Sequence, residues 1–224
     1  MYDISFEKLY NGELCEAFDS HEDVLWLRSQ GMDISGGKIT MADIERLESY
    51  PKADRVRISG LRQDTFEFFI RKYGQNLRII EFYKNKLVED WSLLGMLPNV
   101  EYLYWFSNQR IDRMWDMTGN IMLKGVCISD FTRLHKLDGC GKPPALRYFA
   151  VRDAAWDKTE IESFLPLAGT GITHLGFGGK RVTDKRIDFI NQMPNLEQIY
   201  GSRSIFTKEQ IEWISTHHEK IQIK

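Results

Sequence analysis

A period of about 23 residues runs through most of this chain. It shows as a recurring triplet with the spacing apolar-x-x-apolar-x-apolar. Leu77, Ile80 and Phe82 fill it, then Val100, Leu103 and Trp105, then Leu123, Val126 and Ile128. Leu146, Phe149 and Val151 follow, and after them Ile172, Leu175 and Phe177. Weaker copies flank these, with Ala53, Val56 and Ile58 before and Leu196, Ile199 and Gly201 after. Successive first positions lie 24, 23, 23, 23, 26 and 24 residues apart. A steady period in the range of roughly 20–29 residues means one supersecondary unit stacked on copies of itself. Each unit then touches only its neighbours, which gives one elongated domain that presents a long surface.

In two repeats the pattern runs on to an asparagine, from Leu77 to Asn85 and from Val100 to Asn108. Elsewhere that position holds Leu61, Phe131, Ala154, Lys180 or Ser204. The approach to the strand repeats too: Pro98-Asn99-Val100-Glu101 matches Pro194-Asn195-Leu196-Glu197, with Pro144-Ala145-Leu146-Arg147 a looser copy. On these residues the chain resembles the leucine-rich-repeat proteins, whose strand signature is L-x-x-L-x-L-x-x-N. The resemblance covers roughly residues 22–224 and is closest to the irregular repeats of bacterial members. It implies an α/β solenoid with a parallel concave β-sheet and helices or 3₁₀ turns on the convex side. It also implies an incomplete asparagine ladder. About function it says little, because one fold hosts many functions.

Composition narrows the partners. The 30 basic and 32 acidic residues leave a formal net charge of −2, with no basic excess to neutralise phosphates. Nucleic acid is therefore not an expected partner. The N-terminus lacks a basic n-region and an apolar stretch of signal-peptide length, and no run approaches a membrane span. Cys15, Cys127 and Cys140 are too few and too scattered for a disulfide framework. A cytoplasmic protein without membrane contact is the expectation.

Residues 1–21 break the period and are expected to form an N-terminal cap, with 22–224 as the solenoid. Tyr10-Asn11-Gly12-Glu13 carries an Asn-Gly turn signal that suggests a hairpin or short capping element. In residues 22–52, Val24-Leu25-Trp26-Leu27 predicts a strand, Gly31 to Gly37 a loop, and Thr40 the N-cap of a helix ending before Pro51. Helical spacing also joins Phe66, Phe69, Ile70 and Tyr73; Ile161, Phe164 and Leu165; and Ile187, Ile190 and Met193. Thr183 and Thr207 begin two candidate helices, the second with a near capping box to Gln210. Shorter or 3₁₀ turns are expected over 112–119, 132–144 and around Pro166. Ile211, Trp213 and Ile214 close the chain in a helix, followed by an edge strand at Ile221-Gln222-Ile223.

Strand side chains alternate between faces, so the residues between the triplet's apolar positions point onto the concave surface. They are Val24, Trp26 and Arg28; Arg55, Arg57 and Ser59; Ile79, Glu81 and Tyr83; and Tyr102, Tyr104 and Phe106. Gly125, Cys127 and Ser129 follow, then Tyr148, Ala150 and Arg152; His174, Gly176 and Gly178; and Gln198, Tyr200 and Ser202. Tyr83, Tyr102, Tyr104 and Phe106 thus form one aromatic patch beside a shallow hollow at Gly125, Cys127 and Ser129, with Tyr148 beyond it. Flanked by Arg55, Arg57 and Arg152, the patch resembles the centre of a protein interface. Trp26, Glu81 and Tyr200 complete the candidate protein-binding set. Aromatic residues also stabilise sheets simply by cross-strand pairing. The alternation predicts that Trp105 is buried and its neighbour Tyr104 exposed.

Other constellations weigh less. Cys127, His135 and Cys140 have a superficially metal-like spacing, but the repeat puts the first cysteine on a strand and the second in a turn. One ion would not reach both. Gly176-Phe177-Gly178-Gly179-Lys180-Arg181 lacks the first glycine of a phosphate loop, since His174 stands there. His217-His218 suits a solvated helix end, and His21-Glu22-Asp23 the polar entry to a strand. No nucleophile sits in a catalytic context.

The leading reading is a non-catalytic protein-binding module that needs no cofactor and uses its concave face. Stand-alone bacterial repeat proteins of this size include immunity proteins, so the resemblance extends to an immunity or regulatory role. A self-associating structural protein, with the patch as a homodimer surface, is the alternative. An enzyme would have to rest on isolated groups such as Glu81 with Arg57, or His174.

Overall fold

The computed structural model describes residues 2–14, 24–27, 38–153, 158–201 and 205–224, with 24–27 described as backbone. The expected positions Arg28 and Ser202, the loop over 31–37 and the boundary between cap and solenoid lie outside these residues. The chain opens with a short helix, α1 (Phe6–Asn11), and the first strand, β1 (Val24–Leu27). Helix α2 (Met41–Glu45), strand β2 (Arg55–Ser59), helix α3 (Gln63–Tyr73) and strand β3 (Ile79–Tyr83) follow. Next come β4 (Tyr102–Asn108), β5 (Gly125–Phe131), β6 (Tyr148–Arg152), β7 (Glu160–Ile161) and β8 (His174–Gly178). The two-residue β9 (Arg181–Val182) precedes β10 (Gln198–Tyr200), helix α4 (Lys208–His217) and β11 (Gln222–Ile223).

The triplet becomes a nine-stranded parallel sheet in the order β1-β2-β3-β4-β5-β6-β8-β10-β11. Its middle residues stand in one column, Val56-Ile80-Leu103-Val126-Phe149-Leu175-Ile199, as the ladder register pairs them. Every one is buried in the same core as the flanking triplet positions. The α/β leucine-rich-repeat solenoid is therefore the fold. At the last triplet the apolar residue is replaced by Gly201, where φ is 82° and an added Cβ would lie 1.7 Å from the Phe177 carbonyl oxygen. The backbone passes too close there for any side chain.

A left-handed step at the strand's end also repeats. Gly60, Lys84, Ser107 and Asp130 occupy the same position in four consecutive repeats, and all have positive φ. This left-handed step redirects the chain so that the next residue points inward. In two repeats that residue is asparagine. Asn85 accepts from the Leu61 amide at 2.9 Å and donates to the Ile58 carbonyl at 3.0 Å. Asn108 donates to the Asn85 and Val88 carbonyls and accepts from the Arg110 and Ile111 amides. In the next repeat Phe131 occupies the position and stacks on Trp91, with ring centroids 5.3 Å apart. Aromatic packing through Phe82, Trp105, Trp91 and Trp115 takes over where the ladder stops. Asn120, which the repeat pattern does not mark, ties the Leu94 and Leu97 carbonyls to the Trp115 indole.

The convex side carries fewer helices than the spacing predicts. Helix α3 forms with Phe66, Phe69 and Ile70 buried, and α4 forms with the Thr207–Gln210 capping box. Thr40 caps α2. Over 161–165 the chain pairs β7 with β9 rather than forming a helix, and it then makes the 3₁₀ turn expected around Pro166, which has no amide to donate. No helix starts at Thr183, since Lys185 sits at φ 52° and breaks the run. Only a 3₁₀ turn over Asp188–Gln192 follows. Among the described residues, no helix is long and apolar enough to cross a membrane.

Trp105 is fully buried and stacks on Phe82 with centroids 4.1 Å apart. Trp105→Ala should cost roughly 3–5 kcal/mol in urea unfolding. Asn108→Ala strips partners from the buried Ile111 amide, the part-buried Arg110 amide and two buried carbonyls, and should cost about 1–3 kcal/mol by the same measurement.

Candidate interaction face

The concave assignment holds in its facing. Ile79, Tyr102, Gly125, Tyr148 and His174 are register partners along one row. Glu81, Tyr104, Cys127, Ala150, Gly176 and Tyr200 form the next row. Trp26 pairs with Arg57 in the ladder; its side chain lies outside the described set. The expected exposure of the patch does not hold. Tyr102 and Tyr104 are only 2% and 6% exposed, and Glu81 and Arg55 are buried as well. The reason is that the chain's own residues 2–14 lie across this face. Of the expected N-terminal cap at 1–21, the described residues 2–14 lie over the concave sheet, and the Asn-Gly signal read as a hairpin or short capping element marks the end of helix α1.

Residues 2–14 and the concave side chains make a second hydrophobic core. Ile4, Phe6, Leu9 and Leu14 from the segment pack with Ile79, Tyr102, Tyr104, Cys127 and Ala150 from the sheet. None of these belongs to the internal core on the other side of the strands. Ser5 caps α1, its hydroxyl accepting from the Lys8 amide, and Gly12 ends the helix at φ 76°. A Cβ on Gly12 would meet the Tyr104 ring at 2.4 Å. The hollow read from small residues exists, and it is filled. A Cβ at Gly125 would lie 2.6 Å from a Leu9 methyl, and one at Gly176 would lie 2.8 Å from the Tyr10 ring and 3.0 Å from Phe6. At Gly178 the same atom would be 2.7 Å from the Tyr10 hydroxyl. These glycines are sockets.

Polar contacts fix both ends of the segment. Glu101, fully buried, accepts from the Tyr2 amide at 2.9 Å while Arg78 and Lys124 balance its charge at 2.8 and 2.7 Å. Lys124 also donates to the Tyr2 carbonyl, and the Tyr2 hydroxyl donates to Asp54 at 2.8 Å. The Tyr102 hydroxyl accepts from the Ile4 amide at 3.2 Å. At the far end Arg152 donates to the Tyr10 carbonyl at 2.6 Å and lies over the Tyr10 ring. The Phe6 ring sits among Tyr148, His174 and Tyr200, with centroid distances of 5.8, 5.4 and 4.8 Å.

The arginines expected to steer a partner are therefore already engaged. Arg55 lies over the Tyr2 ring, Arg57 pairs with buried Glu81 at 3.1 Å, and Arg152 holds Tyr10. Six of the expected site residues keep partial exposure: Arg57, Tyr83, Phe106, Tyr148, Arg152 and Tyr200. Tyr83 and Phe106 stack with centroids 5.2 Å apart, and Arg57 and Lys84 approach the Tyr83 ring. They form a half-buried aromatic rim beside the segment, with Phe106 packed against the second core.

Burial also sets the protonation states. It pushes the Tyr102 phenol up to about 12, and raises the Tyr104 and Tyr10 phenols as well. It raises the Cys127 thiol to about 12 and lowers the His174 imidazole. Cys127 faces Tyr10 in the second core, whereas Cys140 packs in the internal core beside the Pro166 carbonyl. The metal-like spacing of these cysteines with His135 does not bring them together.

Sequence reasoning missed Tyr2, Ile4, Phe6, Leu9 and Tyr10 as members of this face. A signal existed: Ser5 as N-cap, then Phe6, Leu9 and Tyr10 at helical spacing, ending in Gly12.

No protein-family model and no curated protein matches this sequence. Among solved structures, the crystal structure of a TLR13–ssRNA13 complex is similar, with a TM-score of 0.60 at 16% identity. The match covers 88% of this chain and 26% of that one. At that identity the likeness shows the fold alone.

Tyrosines held neutral by burial link stability to alkaline pH. A phenol whose folded pKa exceeds its unfolded value of about 10 contributes stability below that value and loses it as pH rises through the folded pKa. Folding stability should therefore fall as pH climbs from 10 toward 12. Phenolate absorbance should show Tyr102 and Tyr104 ionising above the ordinary phenol range, and Tyr102→Phe should flatten the fall.

Proposed function

We propose that this chain is a non-catalytic protein-binding module that engages a partner through its concave side. One observation carries the reading. The face already holds a peptide segment, its own residues 2–14, in glycine sockets and with aromatic and arginine contacts of the kind found at protein interfaces. Beside that segment stands the half-buried rim of Tyr83 and Phe106, with Arg57 and Lys84 against the Tyr83 ring. Large, rigid aromatics next to cationic groups are the residues that dominate binding energy when a partner excludes water from them.

The chemistry of the face supports binding over catalysis. Cys127 has its thiol raised to about 12, far from the thiolate a nucleophile needs. Glu81 and Glu101 are committed to Arg57, Arg78 and Lys124. A binder of this kind acts by masking its partner, which is how an immunity or regulatory protein would work.

The partner should be captured from native lysate with the intact chain and then titrated with variants. Tyr83→Ala and Phe106→Ala should each weaken binding by about 2 kcal/mol or more, roughly 30-fold, with the thermal midpoint little changed. Unchanged affinity in both folded variants would remove the rim from the interface. Arg57→Ala is a poor substitute, because it would remove the salt-bridge partner 3.1 Å from buried Glu81 and damage folding.

A further inference from the structure

We propose that residues 2–14 are a displaceable strap on a docking groove, and that the groove accepts in its place a short amphipathic helix from another protein. That helix would present an aromatic, an aliphatic and a second aromatic side chain at the spacing of Phe6, Leu9 and Tyr10. The proposal rests on the protein-binding reading above and names the segment the face would take.

Three features of the fold lead there. First, the strap is separable. Its side chains form a core distinct from the internal one, on the opposite face of the strands. The backbone bonds that Leu9, Gly12 and Glu13 donate end on Ser5, Leu9 and Lys8, within the segment itself. The parallel ladder runs from β1 to β11 without it. Detaching the strap therefore breaks no strand pairing, and local opening below the global unfolding free energy is what such an arrangement allows.

Second, the groove divides its contacts into general and selective ones. Glu101, Lys124, Tyr102 and Arg152 meet the strap's main-chain groups at Tyr2, Ile4 and Tyr10. Any peptide could offer those groups. Selection falls to the sockets at Gly125, Gly176 and Gly178, which fit Leu9, Phe6 and Tyr10. Third, anchors one turn apart on a helix, seated in an apolar groove, are a general mode of peptide recognition. The tether gives the strap a high effective concentration, so it holds off weaker segments and yields to better ones.

Two buried thiols make the test direct. Cys127 lies beneath Tyr10, whereas Cys140 lies in the internal core. Alkylation of the intact chain under native conditions, read residue by residue by mass spectrometry, should modify Cys127 at least about tenfold faster than Cys140. A dye-labelled peptide of residues 2–14 serves as the probe for the groove. It should bind the full-length Phe6→Ala/Tyr10→Ala variant at least about tenfold more tightly than the intact chain, because the competing strap is weakened. Its binding should in turn slow Cys127 alkylation in the variant. Equal rates at Cys127 and Cys140 in the intact chain would show that the strap leaves only on global unfolding, and would overturn the proposal even if the variant fails to fold. A folded variant that ignores the peptide would overturn it too. A doubled mass, with straps exchanged between copies, would replace the partner by a second copy and so contradict it. None of these outcomes touches the Tyr83 and Phe106 titration, so the two readings fail separately.

Discussion

The alternation of side chains along nine aligned strands governs this structure. In a parallel ladder with constant register, each residue's facing is shared by its partners in every strand. The column Val56-Ile80-Leu103-Val126-Phe149-Leu175-Ile199 therefore fills one side of the sheet without a break. The same rule collects Glu81, Tyr104, Cys127, Ala150, Gly176 and Tyr200 on the other. A solenoid needs only the first set to fold. The second set is free to carry shape and chemistry, and here it carries large aromatics next to glycines.

That contrast in size explains the strap. Tyr102 and Tyr104 raise a wall, Gly125 and Gly176 leave a floor, and α1 lies where Leu9 and Phe6 can reach that floor. Exposed in water, a wall of this kind would be an apolar patch; covered, it becomes a second core. Glu101 shows how tightly the arrangement is tuned. It is fully buried, yet Arg78, Lys124 and the Tyr2 amide all converge on it. Buried charge is tolerated when it is paired and hydrogen-bonded on this scale.

The fold was legible because a period of 23 residues repeats one unit and so averages out local ambiguity. Each of Leu103, Val126 and Phe149 tests the same register, and a slip would have shown as polar residues in the column. Helices were less legible because their signals were single. Phe66, Phe69 and Ile70 did make a helix, but Lys185 at positive φ cancelled the one at Thr183, while Pro166 held its segment to the 3₁₀ turn its ring favours. The concave face was legible in facing and not in exposure. Strand alternation says where Tyr104 points; what lies beyond it depends on residues some hundred positions earlier, with no period to connect them. Complementarity between Phe6, Leu9 and Tyr10 and three glycines is a tertiary fact. The half-buried rim at Tyr83 and Phe106 emerges only once the covered part is known.

The central claim is that one sheet separates two cores, the second closed by the chain's own N-terminal segment. Proton NMR of the intact chain tests this most directly, through nuclear Overhauser contacts across the concave face. Cross-peaks from the Leu9 methyls to the Gly125 α-protons, and from the Phe6 ring to Tyr200, are predicted, because these groups meet in the groove. A dispersed β-sheet spectrum in which residues 2–14 show no contact with Gly125, Tyr104 or Tyr200 would contradict it.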